Sequence, residues 1–298
     1  MGTTVESCVC CESRDLEWSP AIWMPFVSHM AMNLAPLDLD KSLGLATIPD
    51  GTGYALCKSL MCRDCGHLFV DYRFSDSEMG QLYSDYRGTV YTELRDKYEP
   101  GYAERNAKIA EGISFLDEVE SFLEEFVPES GIAVLDWGGD TGINTPFKER
   151  RSLLHIYDPS AKEAGRDDAV SFSEIPEERV SYDLIVLSEV LEHIPFPADT
   201  LTAIQPFMSA QTTLYVEVPL EKLQEGRSGP PYSGADRKKH WHEHINFYTP
   251  RSMTLLLERC GLSVQASRVL DLSTSQNKAL GSAGNLLQYA CKRADLAS

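Results

Sequence analysis

The chain has 298 residues, 43% of them hydrophobic, a length and composition that suit two units, each with its own core. Its formal net charge of -18 argues against a nucleic-acid partner, because phosphate contacts need a basic face. No apolar run is long enough to span a bilayer, and nothing at the amino end reads as a secretory leader, so a reducing, cytoplasmic setting is expected.

Taken in chain order, the first signal is cysteine. Cys8-x-x-Cys11 and Cys62-x-x-Cys65-Gly66 form two knuckles that can bring four thiolates around Zn²⁺. Four thiolates leave no position for water, so Cys8, Cys11, Cys62 and Cys65 predict a structural site. Cys10 and Cys57 are alternative ligands, whereas Cys260 and Cys291 read as buried small residues. The zinc-binding module is expected over residues 1–75 and a helical connector or lid over 76–130. Within the connector, Glu104 to Phe126 predicts one long amphipathic helix. Ile109, Ile113, Leu116, Val119 and Leu123 form its apolar stripe, and Glu111, Glu118 and Glu125 a solvated face. Tyr86 and Tyr91 are candidates for a phenol on the substrate side.

From residue 131 the pattern changes to strands alternating with helical stretches. Ala133-Val134-Leu135 has the character of a buried parallel strand, and Asp136 ends it. Gly138, Gly139 and Gly142 then allow a tight turn with bare backbone, either an ordinary strand-to-helix turn or a cradle for a nucleotide-type ligand. The turn lacks the lysine and hydroxyl of a P-loop and the glycine spacing of a dinucleotide fingerprint. Leu153 to Tyr157 is the second strand, and Asp158 ends it as a turn cap or a ribose acceptor. Further strands are expected at Ala169–Phe172, Tyr182–Leu187, Thr213–Val218 and Asn285–Cys291. Together they predict a doubly wound α/β sheet over residues 131–298.

The last signal is the run Asp236-Arg237-Lys238-Lys239-His240-Trp241-His242-Glu243-His244. Gly226, Gly229, Pro230, Pro231 and Gly234 before it suggest a mobile flap. A histidine–glutamate pair suits removal of a proton from an acceptor near neutral pH. The competing reading is a second metal at His242 and His244. The three cations would suit the pyrophosphate of a nucleotide-linked sugar, or would form a solvated loop.

In the order VLDWGGDTG, IYDPS and YDLIVLSEVLEHIPFP, the residues resemble class I S-adenosylmethionine-dependent methyltransferases. The resemblance implies a Rossmann-like sheet of seven strands. It implies that Asp136, Gly138 and Gly139 hold the amino-acid end of the cofactor and Asp158 the ribose. Phe172 and Ser173 would flank the adenine, and Ser188 and Glu189 would line the methyl-donor side. The family has glycine where this chain has Asp140, which is tolerable if its φ stays negative. With the four-cysteine module, the segment WHEHINFY resembles sugar C-methyltransferases. That resemblance implies catalytic roles for Glu243, His244 and His193 and a sugar or nucleotide-sugar acceptor. Oxygen, nitrogen and carbon remain open as the methylated atom. A non-catalytic cofactor-binding or zinc-module interaction protein is the alternative.

Overall fold

The computed structural model describes residues 1–298 apart from 45–46, 110–111, 114, 161–168, 176–179, 222–234, 273–283 and 297–298. Near the amino end, strands β1 (Leu16–Trp23), β2 (Leu56–Cys62) and β3 (Leu68–Val70) pair antiparallel. The main sheet has seven strands. They are β4 (Ile132–Trp137), β5 (Arg151–Tyr157), β6 (Ala169–Phe172), β7 (Leu184–Ser188), β8 (Thr213–Leu220), β11 (Leu262–Asp271) and β12 (Asn285–Arg293). Their spatial order is β6-β5-β4-β7-β8-β12-β11, with the first five parallel and β12 antiparallel to both neighbours. The order reverses between β4 and β7, the place where open α/β sheets bind ligands beyond their carboxyl ends.

The central strands are apolar almost throughout because both faces are covered. Val134, Leu184, Val186 and Tyr215 face a core with Phe115, Val119 and Leu123. Leu135, Ile185, Leu187, Leu214 and Val216 face the other way. There they meet helices α6 (Pro197–Ile204) and α7 (Pro250–Arg259), and also Cys8, Cys10, Cys62 and Cys65. The cysteine module thus shares a core with the main sheet.

The connector departs from expectation. Instead of one helix over 104–126 there are α4 (Tyr102–Ile109) and α5 (Leu116–Leu123), with a final 3₁₀ turn at Glu124–Phe126. Gly112 sits between them at φ +96°, and the Ile113 amide donates to Asn144 Oδ1 at 2.9 Å. A left-handed glycine between the two helices interrupts the continuing apolar period. Glu111 lies outside the described residues. Earlier in the connector stand α2 (Asp76–Leu82) and α3 (Thr89–Tyr98), and α1 (Pro25–Met32) follows β1.

The histidine segment is built into the amino-terminal sheet. Strand β9 (His240–Trp241) runs parallel to β1 on one edge, and β10 (Asn246–Phe247) antiparallel to β3 on the other. A flat sheet would separate those edges by about 19 Å. Five residue steps of extended chain reach about 18 Å at most, so the sheet is curled. Buried Trp241 donates to Ser59 Oγ at 2.8 Å, and the amides of Ile245 and Asn246 both donate to the Glu192 carbonyl. The expected flap positions Gly226, Gly229, Pro230, Pro231 and Gly234 lie outside the described residues, but His240 to Phe247 is anchored on both sides. Among the described residues no helix is long and apolar enough to cross a membrane.

Candidate active site

The glycine turn follows β4 at the switch point. Gly138 and Gly142 adopt φ +84° and +75°. A Cβ at Gly138 would meet Val190 at 2.5 Å, one at Gly139 would meet Asp136 at 2.5 Å, and one at Gly142 would meet Ile156 at 2.6 Å. These glycines keep the turn pressed against the strands and leave its amides bare, as a ligand lying on the turn requires. Asp136 itself is buried under the turn and accepts from the Thr145 hydroxyl. Burial pushes its carboxyl up to about 6, against the opposing pull of Thr145 and Arg151.

Asp140 corrects the expectation of a negative φ. Its φ is +50°, a left-handed conformation that aspartate tolerates better than most residues. The Asp140 amide donates to Asp158 Oδ2 at 3.0 Å and the Ser160 amide to Oδ1 at 2.8 Å, so Asp158 is fixed at the end of β5. Ser188 turns inward and donates to buried Glu217 at 2.6 Å. Glu189 is exposed at φ +56°. Phe172 meets His155 edge-on with ring centres 5.1 Å apart, and Ser173 is exposed.

Val190, which packs on Gly138, leads in three residues to the second cluster. His193 Nδ1 lies 2.8 Å from Tyr83 Oη and 3.2 Å from the Glu243 carbonyl, and the His193 ring stands edge-on to His244 with centres 4.6 Å apart. A carbonyl only accepts, so it favours the Nδ1–H tautomer, which leaves the Nε2 lone pair facing Glu192 Oε1 at 3.8 Å. Neither Glu192 oxygen has a hydrogen-bond partner among the described residues. Desolvation, then the charge of Glu189, pushes Glu192 well above the carboxylate range, so it faces His193 as a neutral acid. Desolvation also lowers His193 to about 3, with help from His244, and His244 to about 4 despite Glu243. Burial alone would raise Glu243, but Arg95 foremost, with both histidines, holds it down to about 2. Two neutral imidazoles, an ionised carboxylate and a phenol therefore meet beside the glycine turn.

A sequence profile described as a methyltransferase domain matches residues 104–267, more than half of the chain. The chain belongs to that family. Among solved structures, a SAM-dependent methyltransferase from Aquifex aeolicus is 19% identical, covers 62% of this chain and 95% of its own, and has a TM-score of 0.42. An S-adenosylmethionine-dependent methyltransferase from Mesorhizobium loti is 16% identical, covers 60% of this chain and all of its own, and has a TM-score of 0.41. No curated protein matches the sequence.

In this methyltransferase the cysteines come together as their spacing predicts. Cys8 Sγ lies 3.6 Å from Cys65 Sγ and Cys11 Sγ 3.5 Å from Cys62 Sγ, with all four sulfurs within 4.8 Å of one another. A tetrahedral zinc site with bonds of about 2.3 Å has sulfur–sulfur edges of about 3.8 Å, so the group fits Zn²⁺. Both knuckles fold alike. The amide of Glu12 returns to the Cys8 carbonyl and that of Gly66 to the Cys62 carbonyl, each at 2.9 Å and each from a left-handed residue. Cys10 is buried next to Cys8 but outside the group of four, and Cys57 pairs with Ala21 farther along β2.

The methyltransferase separates residues the sequence joined and joins others it did not. His242 Nδ1 turns to Glu99 at 3.5 Å, and the ligand group that His244 shares with Glu192 and His193 does not include His242. Lys238 is buried with Nζ 4.7 Å from the Phe247 ring centre, Lys239 is exposed, and the Arg237 side chain lies outside the described residues. Tyr83, not Tyr86 or Tyr91, reaches His193. Arg95 and Glu99, which hold Glu243 and His242, were missed. The spacing Tyr91, Arg95, Glu99 places all three on one helix face and could have marked them.

Proposed function

We propose that this methyltransferase transfers a methyl group from S-adenosylmethionine to an oxygen or carbon of a small polar acceptor of the sugar class. The observation that carries this reading is the meeting of Tyr83, His193, Glu243 and His244 next to the glycine turn, joined to it by Val190. S-adenosylmethionine supplies an electrophilic methyl carbon on its sulfonium. The bare turn of Gly138 and Gly139 takes its amino-acid end, and Asp158 offers its carboxylate to the ribose. Phe172 and Ser173 flank the adenine, and Ser188 and Glu189 bound the methyl-donor side.

An acceptor hydroxyl or acidic C–H must lose its proton as the new bond forms. His244, neutral at pH 7, takes that proton, and ionised Glu243 stabilises the resulting imidazolium across the adjacent peptide. Tyr83 and His193 orient the acceptor. Alignment of donor and acceptor supplies most of the acceleration. Lys238, a buried cation in the field of Glu243, suits an acceptor that carries phosphate.

Zinc at Cys8, Cys11, Cys62 and Cys65 closes the loop between the knuckles and fixes β1 to β3, the strands on which the histidine segment is laid. Residues 1–75 form the zinc module, 76–130 the connector and 131–298 the core, which lends His240–Trp241 and Asn246–Phe247 to the sheet of the module. The test is a methyl-transfer assay against a panel of nucleotide-linked sugars, with products identified by mass and NMR.

A further inference from the structure

Arg87 lies in the connector, outside the stretch that resembles any cofactor motif, yet its Nη1 reaches Asp140 Oδ2 in the glycine turn at 3.4 Å. The turn that carries it is strained. Asp85 and Arg87 both adopt left-handed φ, +52° and +57°, within four residues. The Gly88 amide closes the turn on the Asp85 carbonyl at 2.7 Å, and the Asp85 carboxylate accepts from the amides of Val90 and Tyr91 to start α3. A Cβ at Gly88 would collide with that carboxylate at 2.0 Å. Non-glycine residues held at positive φ persist where the surroundings over-determine them, and they concentrate at ligand clamps.

The guanidinium has capacity to spare. It rests on the Tyr86 ring, 4.9 Å from its centre, and its buried Nε has no hydrogen-bond partner. Five donors in a planar fork suit a carboxylate, and Asp140 at 3.4 Å and Tyr86 engage only part of them. Arg87 also acts on Glu189, which follows β7, where it opposes the influence of Glu217. Its contact with Asp140 sets the guanidinium against the glycine turn that follows β4.

The crevice needs a cation there. Asp136, Asp140 and Asp158 crowd around the glycine turn, and the amino-acid end of the cofactor would add another carboxylate. Arg151 acts on Asp136 and donates to the Thr145 carbonyl at 3.2 Å.

We propose that Arg87 is the clamp for the cofactor's α-carboxylate, and that Asp140 holds the guanidinium in position until the cofactor arrives. This rests on the reading of the crevice as an S-adenosylmethionine site. It also accounts for aspartate at the position where the resemblance implies glycine: the acid and the arginine work as a pair.

The test is titration calorimetry of the full-length protein with S-adenosylhomocysteine, which has the carboxylate, and 5′-methylthioadenosine, which lacks the amino-acid group. Arg87→Gln is expected to weaken S-adenosylhomocysteine at least tenfold while 5′-methylthioadenosine stays within twofold, with Arg87→Lys in between. Unchanged binding of 5′-methylthioadenosine also shows that the variant pocket is folded. Equal weakening of both ligands, or of neither, overturns the clamp. If the wild-type protein binds neither ligand, the cofactor reading itself fails and takes the clamp with it.

Discussion

Arg95 Nη2 lies 2.5 Å from Glu243 Oε1, with both side chains largely buried. This one ion pair ties helix α3 of the connector to the histidine segment, and Arg95 extends the tie to Tyr91 and Glu99. A connector residue thus sets the charge state of a proposed catalytic one. Arg95→Met leaves Glu243 without its counter-ion and is expected to cost about 3 kcal/mol, typical for removing one partner of a buried pair. Urea unfolding of Arg95→Met, Glu243→Gln and the double variant measures it. A double variant as unstable as the sum of the two singles would mean that the pair is not coupled.

The histidines set the pH dependence. Burial lowers His193 to about 3 and His244 to about 4, so both are neutral well into acid. Activity that needs a neutral His244 is present at and above neutral pH and falls as pH drops through its folded value. The acid limb of kcat/KM should therefore lie near pH 4 to 5, below the ordinary histidine value of about 6.5. Stability follows the same sign. The unfolded chain binds these protons more readily, so stability is full above about pH 6.5 and declines as pH falls toward the folded values. An acid limb at 6.5 would place the titrating group elsewhere.

The four sulfurs predict about one zinc per chain by metal analysis. Cys62→Ser should lose it, with a marked fall in thermal stability, because the knuckles then have nothing to fold around. Cys57→Ser should keep it. A second equivalent of metal, lost on Glu192→Gln, would instead place an ion among Glu192, His193 and His244, whose ligand atoms also lie within 4.8 Å of one another.

Left-handed Asp140 gives a backbone prediction. Asp140→Ala should destabilise the protein by about 1 kcal/mol, since alanine resists that conformation, while Asp140→Gly relieves the strain and stays within about 0.5 kcal/mol of wild type. Chemical denaturation compares the two. Equal effects would mean that φ at this position does not matter.

The sheet was legible because buried parallel strands write themselves as apolar runs, as at Ala133–Leu135 before Asp136 and Leu184–Leu187 before Ser188, and the knuckles because zinc geometry restricts cysteine spacing. Glu243, His244 and His193 stand out as candidates through the resemblance carried by WHEHINFY and through the concentration of histidines in an acidic chain. Tyr83, Arg87 and Arg95 were hidden. They are common residue types whose partners lie from 53 to 148 residues away, so only tertiary structure pairs them. The connector helix was misread because apolar period continues through Gly112, and periodicity alone does not register a left-handed residue. The seat of the histidine segment on the amino-terminal sheet was hidden because nothing local marks two-residue strands that pair with residues far back in the chain.

The most direct measurement is methyl transfer from labelled S-adenosylmethionine to nucleotide-linked sugars, run beside cofactor binding for wild type and His244→Ala. The predicted result is a methylated sugar from wild type, a rate at least about a hundredfold lower for His244→Ala, and equal cofactor affinity for both. A His244→Ala rate close to wild type would contradict the proposed base. Cofactor binding by wild type with no methyl transferred to any sugar would contradict the proposed acceptor class.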